Sequence, residues 1–272
     1  LRRLRDLFGD PLLVRTSDGM KPTERAEMLQ PMVRDVLASV EKAVEPSQEF
    51  DAAAADRVFR ISVSDYTEST LLPHLMRRLR SEAPNITLDV LTPSDISYQD
   101  VEQGTVDLVI NRFDVLPQSF HQMTVWRDTF SCLLSHHNPI VNNFNLDSYL
   151  DSGHVWVNKT GMGVGVGMEP GATKTLGWVD EALFSIGKQR RIRVFTRHYQ
   201  AAMRLAELRD LIVTLPTKAA RLLADNPNVV IFDPPFSIPE IELKMAWSPL
   251  VQHNPAHQWI RRLIADVAKK LD

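Results

Sequence analysis

The stretch from Thr23 to Glu45 constrains this chain most. Its apolar residues Leu29, Met32, Val33, Val36, Leu37, Val40 and Val44 recur every three or four positions. On a helix they form one narrow stripe, and at 1.5 Å rise per residue that helix is roughly 34 Å long. Thr23 is placed to cap it, and Glu24 and Glu27 set negative charge at the positive end of its dipole. Pro31 removes one amide donor, so a kink is expected there, at a cost of about 3 kcal/mol unless packing offsets it. The residues beside the stripe, Arg25, Arg34, Asp35, Glu41 and Lys42, are charged. A core helix is one reading. The narrow stripe with charged flanks suits a helix that pairs with a copy of itself.

The 272 residues allow two domains, and 44% hydrophobic with 24% charged content is that of a globular protein in water. No apolar run approaches the ~18 residues of a membrane span, so no membrane partner is expected. Leu1-Arg-Arg-Leu-Arg is not followed by the apolar stretch of a signal peptide. Helix-forming sequence is already under way at Leu1, and the chain is expected to be a fragment. The lone Cys132, in the strand-like run Thr129-Phe-Ser-Cys-Leu-Leu-Ser, allows no internal disulfide and is expected as a small core residue. That cysteine usage fits a reducing, cytoplasmic setting. The net charge of −3 means that any nucleic-acid footprint must be local.

Residues 1–22 read as a helix end and a hairpin. Leu1, Leu4, Leu7 and Phe8 share a face, Gly9 suits the residue after a helix, and Pro11 blocks continuation. Leu12 to Thr16 reads as a strand and Ser17-Asp-Gly as a turn. Residues 1–21 hold five cations, Arg2, Arg3, Arg5, Arg15 and Lys21, against three aspartates. A solvated helix face explains these arginines as well as a DNA contact does.

Residues 46–57 read as a linker, Pro46-Ser-Gln-Glu followed by an alanine run. Beyond it strands and helices alternate. A strand at Val58 to Ser64, a helix over 69–80, a strand at Ile86 to Leu91, a short helix at Tyr98 to Glu102 and a strand at Val106 to Ile110 call for a parallel sheet. Val125 to Leu134 reads as extended chain leaving that sheet. A second set follows, with strands at His154 to Asn158, Arg191 to Phe195, Leu211 to Thr214 and Val229 to Phe232. Ile241 to Trp247 is a further strand. The final helix, over 255–271, is capped by Asn254 with Pro255 in its first position. Two such sets joined by two crossings describe a bilobed α/β binding domain over 58–272. Lobe I takes about 58–130 plus 236–272 and lobe II about 131–235, with ligand between them at the C-terminal ends of the strands.

The run Leu4-Arg-Asp-Leu-Phe-Gly-Asp-Pro-Leu-Leu-Val-Arg, followed by Gly19-Met-Lys-Pro-Thr-Glu-Arg-Ala-Glu, resembles the LysR-type transcriptional regulators. Phe59-Arg-Ile-Ser-Val-Ser-Asp-Tyr and Val106-Asp-Leu-Val-Ile are similar to strands of that family's effector domain. The resemblance implies a periplasmic-binding-protein-like effector domain of two Rossmann-like βα lobes. Before it come a long dimerisation helix over 23–45 and, in 1–22, the C-terminal remnant of a winged helix-turn-helix. It implies a bacterial regulator that acts as a homodimer or homotetramer on promoter DNA, with RNA polymerase as a further partner and a small molecule entering the interlobe cleft. Without most of the recognition helix, this chain is expected to bind specific DNA poorly. Carried over residue by residue, the effector contacts are Ser64, Asp65, Tyr66 and Thr67 after the first strand, and Thr92, Pro93 and Ser94 after the second. The second lobe adds Asn158, Lys159 and Thr160, then Thr196, Arg197 and His198, and a turn at Thr214. Asp65 cuts against a simple carboxylate ligand, with Arg112, Lys159 or Arg197 as the charges that could offset it.

Other chemistry finds little purchase. The glycines of 161–171 fall at every second position and satisfy neither G-x-G-x-x-G nor the P-loop. His136-His137 lacks metal-ligand spacing and reads as an exposed turn. No G-x-S-x-G surrounds a serine. Neither a catalytic residue nor a cofactor or metal is expected. The rival readings are a stand-alone two-lobed solute-binding protein, which leaves 1–45 unexplained, and an enzyme with a Rossmann-like lobe.

Overall fold

The computed structural model describes residues 1–44, 49–113, 116–157 and 177–271, with the side chains of 41–44 left aside. The chain divides into two compact units, Leu1–Glu49 and Phe50–Asp272.

In the first unit, helix α1 (Arg2–Phe8) stops at Gly9, whose φ of 60° is left-handed and whose amide bonds back to the Arg5 carbonyl. Strands β1 (Leu13–Thr16) and β2 (Gly19–Pro22) form an antiparallel hairpin, closed by the pair Thr16 and Gly19. Asp10 ties hairpin to helix. Its Oδ1 accepts from the Leu12 amide at 2.7 Å and from Thr23 Oγ1 at 2.6 Å. Thr23 Oγ1 in turn accepts from the Ala26 amide, capping α2 (Glu24–Val44) as its sequence position suggests. These two bonds, the Thr23 one foremost, hold the Asp10 carboxyl below the usual carboxylate range. Helix α2 continues through Pro31. Its stripe is not buried within the unit: Met32 is 63% exposed, Val36 61% and Leu37 56%.

The second unit holds two five-stranded sheets. The first runs β4 (Thr87–Leu91), β3 (Val58–Val63), β5 (Leu108–Asn111), β12 (Ile241–Trp247), β6 (His121–Asp128). Strands β3, β4 and β5 are parallel, the β-α-β-α-β unit read from the sequence, while β12 is antiparallel to both β5 and β6. The second runs β11 (Val229–Phe232), β7 (Phe130–Ser135), β10 (Leu211–Pro216), β8 (Gly153–Val157), β9 (Arg191–Thr196). Here β8, β9 and β10 are parallel, and β7 is antiparallel to β10 and β11. Helices α3 (Asp65–Glu82), α4 (Tyr98–Glu102) and α9 (Pro255–Ala268) accompany the first sheet. Helices α5 (Leu146–Asp151), α6 (Trp178–Ser185), α7 (Tyr199–Leu205) and α8 (Thr217–Ala220) accompany the second. The core is apolar on both sides, from Phe59, Leu75 and Ile260 to Leu133, Val155 and Ile212.

Three expectations change. Helix α3 begins four residues earlier than the periodicity implies, because Ser64 caps it by accepting from the Thr67 amide. Asp65, Tyr66 and Thr67 are therefore its first turn and not a loop. The run Val125 to Leu134 is not one extended exit. It is the end of β6 in the first sheet and most of β7 in the second, broken where the Asp128 carboxylate accepts from the Thr129 amide. Thr214 is not in a turn but sits within β10, because the buried run Ile212 to Pro216 pairs throughout with β7.

Candidate functional site

The two sheets meet where β6 passes into β7. The Asp128 carboxylate binds both sides: its Oδ2 accepts from Tyr66 Oη at 2.6 Å and from the Lys218 amide at 3.0 Å. Tyr66 belongs to α3 of the first lobe and Lys218 to α8 of the second. Trp126 Nε1 donates to Tyr66 Oη at 3.1 Å, so the phenol both gives and receives. Burial pushes the Asp128 carboxyl up, opposed by the bonds from Tyr66 and Lys218. Burial and the neighbouring Asp128 charge push the Tyr66 phenol up, so it stays a donor. Beside this junction Thr217 gives its amide to the Thr129 carbonyl, and the two hydroxyls lie 2.9 Å apart.

A second link crosses the gap directly. Asp65, the first residue of α3, accepts at Oδ2 from the Gln200 amide of α7 at 3.2 Å. Helix α7 needs that acceptor, for its own N-cap residue His198 makes no side-chain cap. The Tyr66 and Tyr199 rings meet at 5.5 Å.

Past Tyr199 a shallow recess lies at the C-terminal ends of β8 and β10. Phe130, Trp156, Trp178, Tyr199, Arg190 and Thr214 supply the side chains that matter. Arg190 is buried and doubly bonded to Asp180, Nε to Oδ1 at 2.8 Å and Nη2 to Oδ2 at 2.7 Å. Thr214 Oγ1 lies 2.8 Å from Tyr149 Oη and 3.4 Å from Cys132 Sγ. Burial pushes that thiol up to about 12, so Cys132 is an inert core group as its sequence setting implies. Behind it His154 Nε2 donates to the Tyr149 carbonyl at 2.7 Å, and burial lowers its pKa to about 3.

The structure gathers part of the residue set carried from the resemblance. Ser64, Asp65, Tyr66 and Thr67 open α3 at the gap, and Thr196 and His198 lead into α7 opposite them. Ser64 and Thr67 are buried and bond to each other, serving the helix start. His198 and Arg197 are exposed. Thr214 backs the recess, and the Arg112 guanidinium lies 4.8 Å from the centre of the Trp178 ring at its rim. Thr92, Pro93 and Ser94 follow β4, and among the described residues they make no hydrogen bond to this group; Ser94 Oγ donates to Asp95. Asn158, Lys159, Thr160 and the glycine loop of 161–171 lie outside the described residues. The residues that sequence reasoning missed are Asp128, Tyr199, Arg190 and Lys218. Only Asp128 had a visible signal, a carboxylate set between two apolar strand runs.

Of the proposed DNA contacts, Arg2, Arg3, Arg15 and Lys21 are exposed, whereas Arg5 donates from Nε to the Pro11 carbonyl at 2.7 Å and braces the hairpin. No helix among the described residues is long and apolar enough to cross a membrane. No group of three metal-ligating side chains occurs among them.

The profile of the LysR substrate binding domain matches residues 52–149. The regulatory domain of MexT, a transcriptional activator in Pseudomonas aeruginosa, is 30% identical. That match covers 79% of this chain and all of the MexT domain, with a TM-score of 0.66. The chain belongs to the LysR family of transcriptional regulators. Over 98% of its length and 86% of the relative's, this LysR-type chain is also 29% identical to the HTH-type transcriptional activator NahR of Pseudomonas putida. The LysR family regulator CbnR, 15% identical with a TM-score of 0.59 over 97% of this chain and 87% of its own, shares the fold. The second unit is thus the effector domain of a LysR-type transcriptional regulator, of the two-lobed, periplasmic-binding-protein-like kind.

Proposed function

We propose that a small molecule enters between the lobes of this LysR-type regulator and, by changing how Asp65 and Tyr66 meet α7, alters promoter DNA binding by an oligomer. Supporting this reading most is the Asp65 to Gln200 bond: one direct hydrogen bond spans the gap beside an open aromatic recess. A ligand with contacts on both sides would favour one lobe arrangement over another. The effector set is then Ser64, Asp65, Tyr66, Thr67, Arg112, Thr196, Arg197, His198 and Thr214, with Tyr199 added, and with Asn158, Lys159 and Thr160 continuing it.

On this reading residues 1–22 are the remnant of a winged helix-turn-helix, 23–45 the dimerisation helix, and 46–57 the linker. Leu29, Met32, Val33, Val36, Leu37, Val40 and Val44 pair with the same residues of a second copy. Arg2, Arg3, Arg15 and Lys21 face DNA phosphates, RNA polymerase is a further partner, and the protein acts in the cytoplasm without an enzymatic step. A thermal-shift screen of small molecules on the whole chain, repeated with Tyr66→Phe, Arg197→Ala and His198→Ala, tests the site. A hit should stabilise the parent and lose at least tenfold in affinity in one of the three. Full response in all three places the ligand elsewhere.

A further inference from the structure

Asp65 bonds to Gln200, the residue after the recess-lining Tyr199. Its Oδ2 is used by the Gln200 amide, but its Oδ1 is buried and receives no hydrogen bond from any described residue. A buried carboxylate oxygen left without a donor is disfavoured, and a ligand that brings a donor relieves it. A ligand that brings a second carboxylate meets a like charge instead.

Two described cations of this region are already engaged. Arg190 is already committed to Asp180 through two short bonds, and the Arg112 guanidinium lies over the Trp178 ring. Asp128 adds a second acid a short way off, its carboxylate taken up by Tyr66, Lys218 and Thr129. The remaining surface is aromatic. Tyr66 touches Tyr199, which leads to Phe130, Trp156 and Trp178 in the recess. Flat aromatic walls favour a ring, stacked or edge-on.

We infer that Asp65 sets the specificity of this cleft, selecting an aromatic ligand that presents a hydroxyl or amine donor to Oδ1 and rejecting one that presents a carboxylate there. This rests on the interlobe cleft being the ligand site. Asp65 then acts twice, holding α7 by one oxygen and the ligand by the other. Ligand binding and lobe closure share one side chain.

The test compares three ring probes of similar size, phenol, benzylamine and benzoate, by calorimetric titration into the whole chain and its Asp65→Asn variant. Phenol or benzylamine should bind the parent at least tenfold more tightly than benzoate. Asp65→Asn should lose at least tenfold for benzylamine and gain for benzoate. Asp65→Ser serves as a second variant should the first fail to fold, with the same expected reversal. The inference is overturned if benzoate binds the parent best, if no probe binds at millimolar concentration, or if both variants leave the order unchanged. Should benzoate bind the parent, and Tyr199→Ala abolish that binding while Asp65→Asn does not, the cleft reading stands and only the role of Asp65 falls.

Discussion

Two side chains carry costs that their surroundings must offset. Tyr66 is buried with its hydroxyl shared between Asp128 and Trp126. Tyr66→Phe keeps the ring contact with Tyr199, strands the Trp126 indole N–H and leaves Asp128 Oδ2 with the Lys218 amide alone. The loss should be about 1–3 kcal/mol in urea unfolding, and one within about 0.5 kcal/mol would show the hydroxyl to be idle. His154 is buried against the Tyr149 ring, and because a carbonyl only accepts, its Nε2 carries the proton. Burial lowers its pKa from 6.5 to about 3. Below pH 6.5 the unfolded chain gains a proton that the native state refuses. Stability is therefore whole above pH 6.5 and falls as the pH drops towards 3, by up to about 1.4 kcal/mol per unit. His257, also lowered by burial, acts in the same direction. His154→Phe should flatten the slope between pH 6.5 and 4 without removing the share of His257; an unchanged slope would contradict this account.

At the scale of elements, α2 carries the long apolar stripe that its unit leaves uncovered. An apolar stripe exposed over Met32, Val36 and Leu37 costs about 25 cal/mol per Å² relative to burial, and the proposed pairing with a second copy would remove it from water. Leu37→Asp places a charge in that seam and should raise the dissociation constant of the oligomer at least tenfold in sedimentation. Unchanged association would exclude α2 as the seam. This helix was plain in the sequence because period, cap and flanking charges agree at Thr23, Leu37 and Lys42. The parallel strand units were equally plain from alternation. What stayed hidden was set by distance along the chain. Asp128 and Lys218 are 90 residues apart, and nothing local marks them as partners. Ser64 concealed the true start of α3, because a cap is read from one hydroxyl whereas periodicity is read from many apolar positions. Thr214 read as a turn because a threonine before Leu-Pro resembles a strand end, yet pairing with β7 carries the strand on to Pro216.

For the second unit as a whole, the two sheets are separate ladders, and sheets of this kind can unfold one before the other. Here their junction resists that. Opening it breaks the Lys218 bond to Asp128 and the Gln200 bond to Asp65 together. It also exposes a bond from Lys218 Nζ to the Leu271 carbonyl at 2.9 Å, which fastens the second lobe to the end of the helix that closes the first. The Tyr66 and Tyr199 rings would lose their contact in the same step. Separating the lobes therefore uncovers a buried carboxylate and several aromatic faces before any strand is released, so partial unfolding gains little entropy for a large local loss. Native-state hydrogen exchange should find β5 and β10, central strands of the two sheets, opening with the same free energy to within about 1 kcal/mol. Two tiers more than about 2 kcal/mol apart would mean that the lobes unfold independently. Under the same conditions Tyr66→Phe should lower both strands together, because the Asp128 carboxylate it leaves with one donor fewer also accepts from Lys218 of the second lobe.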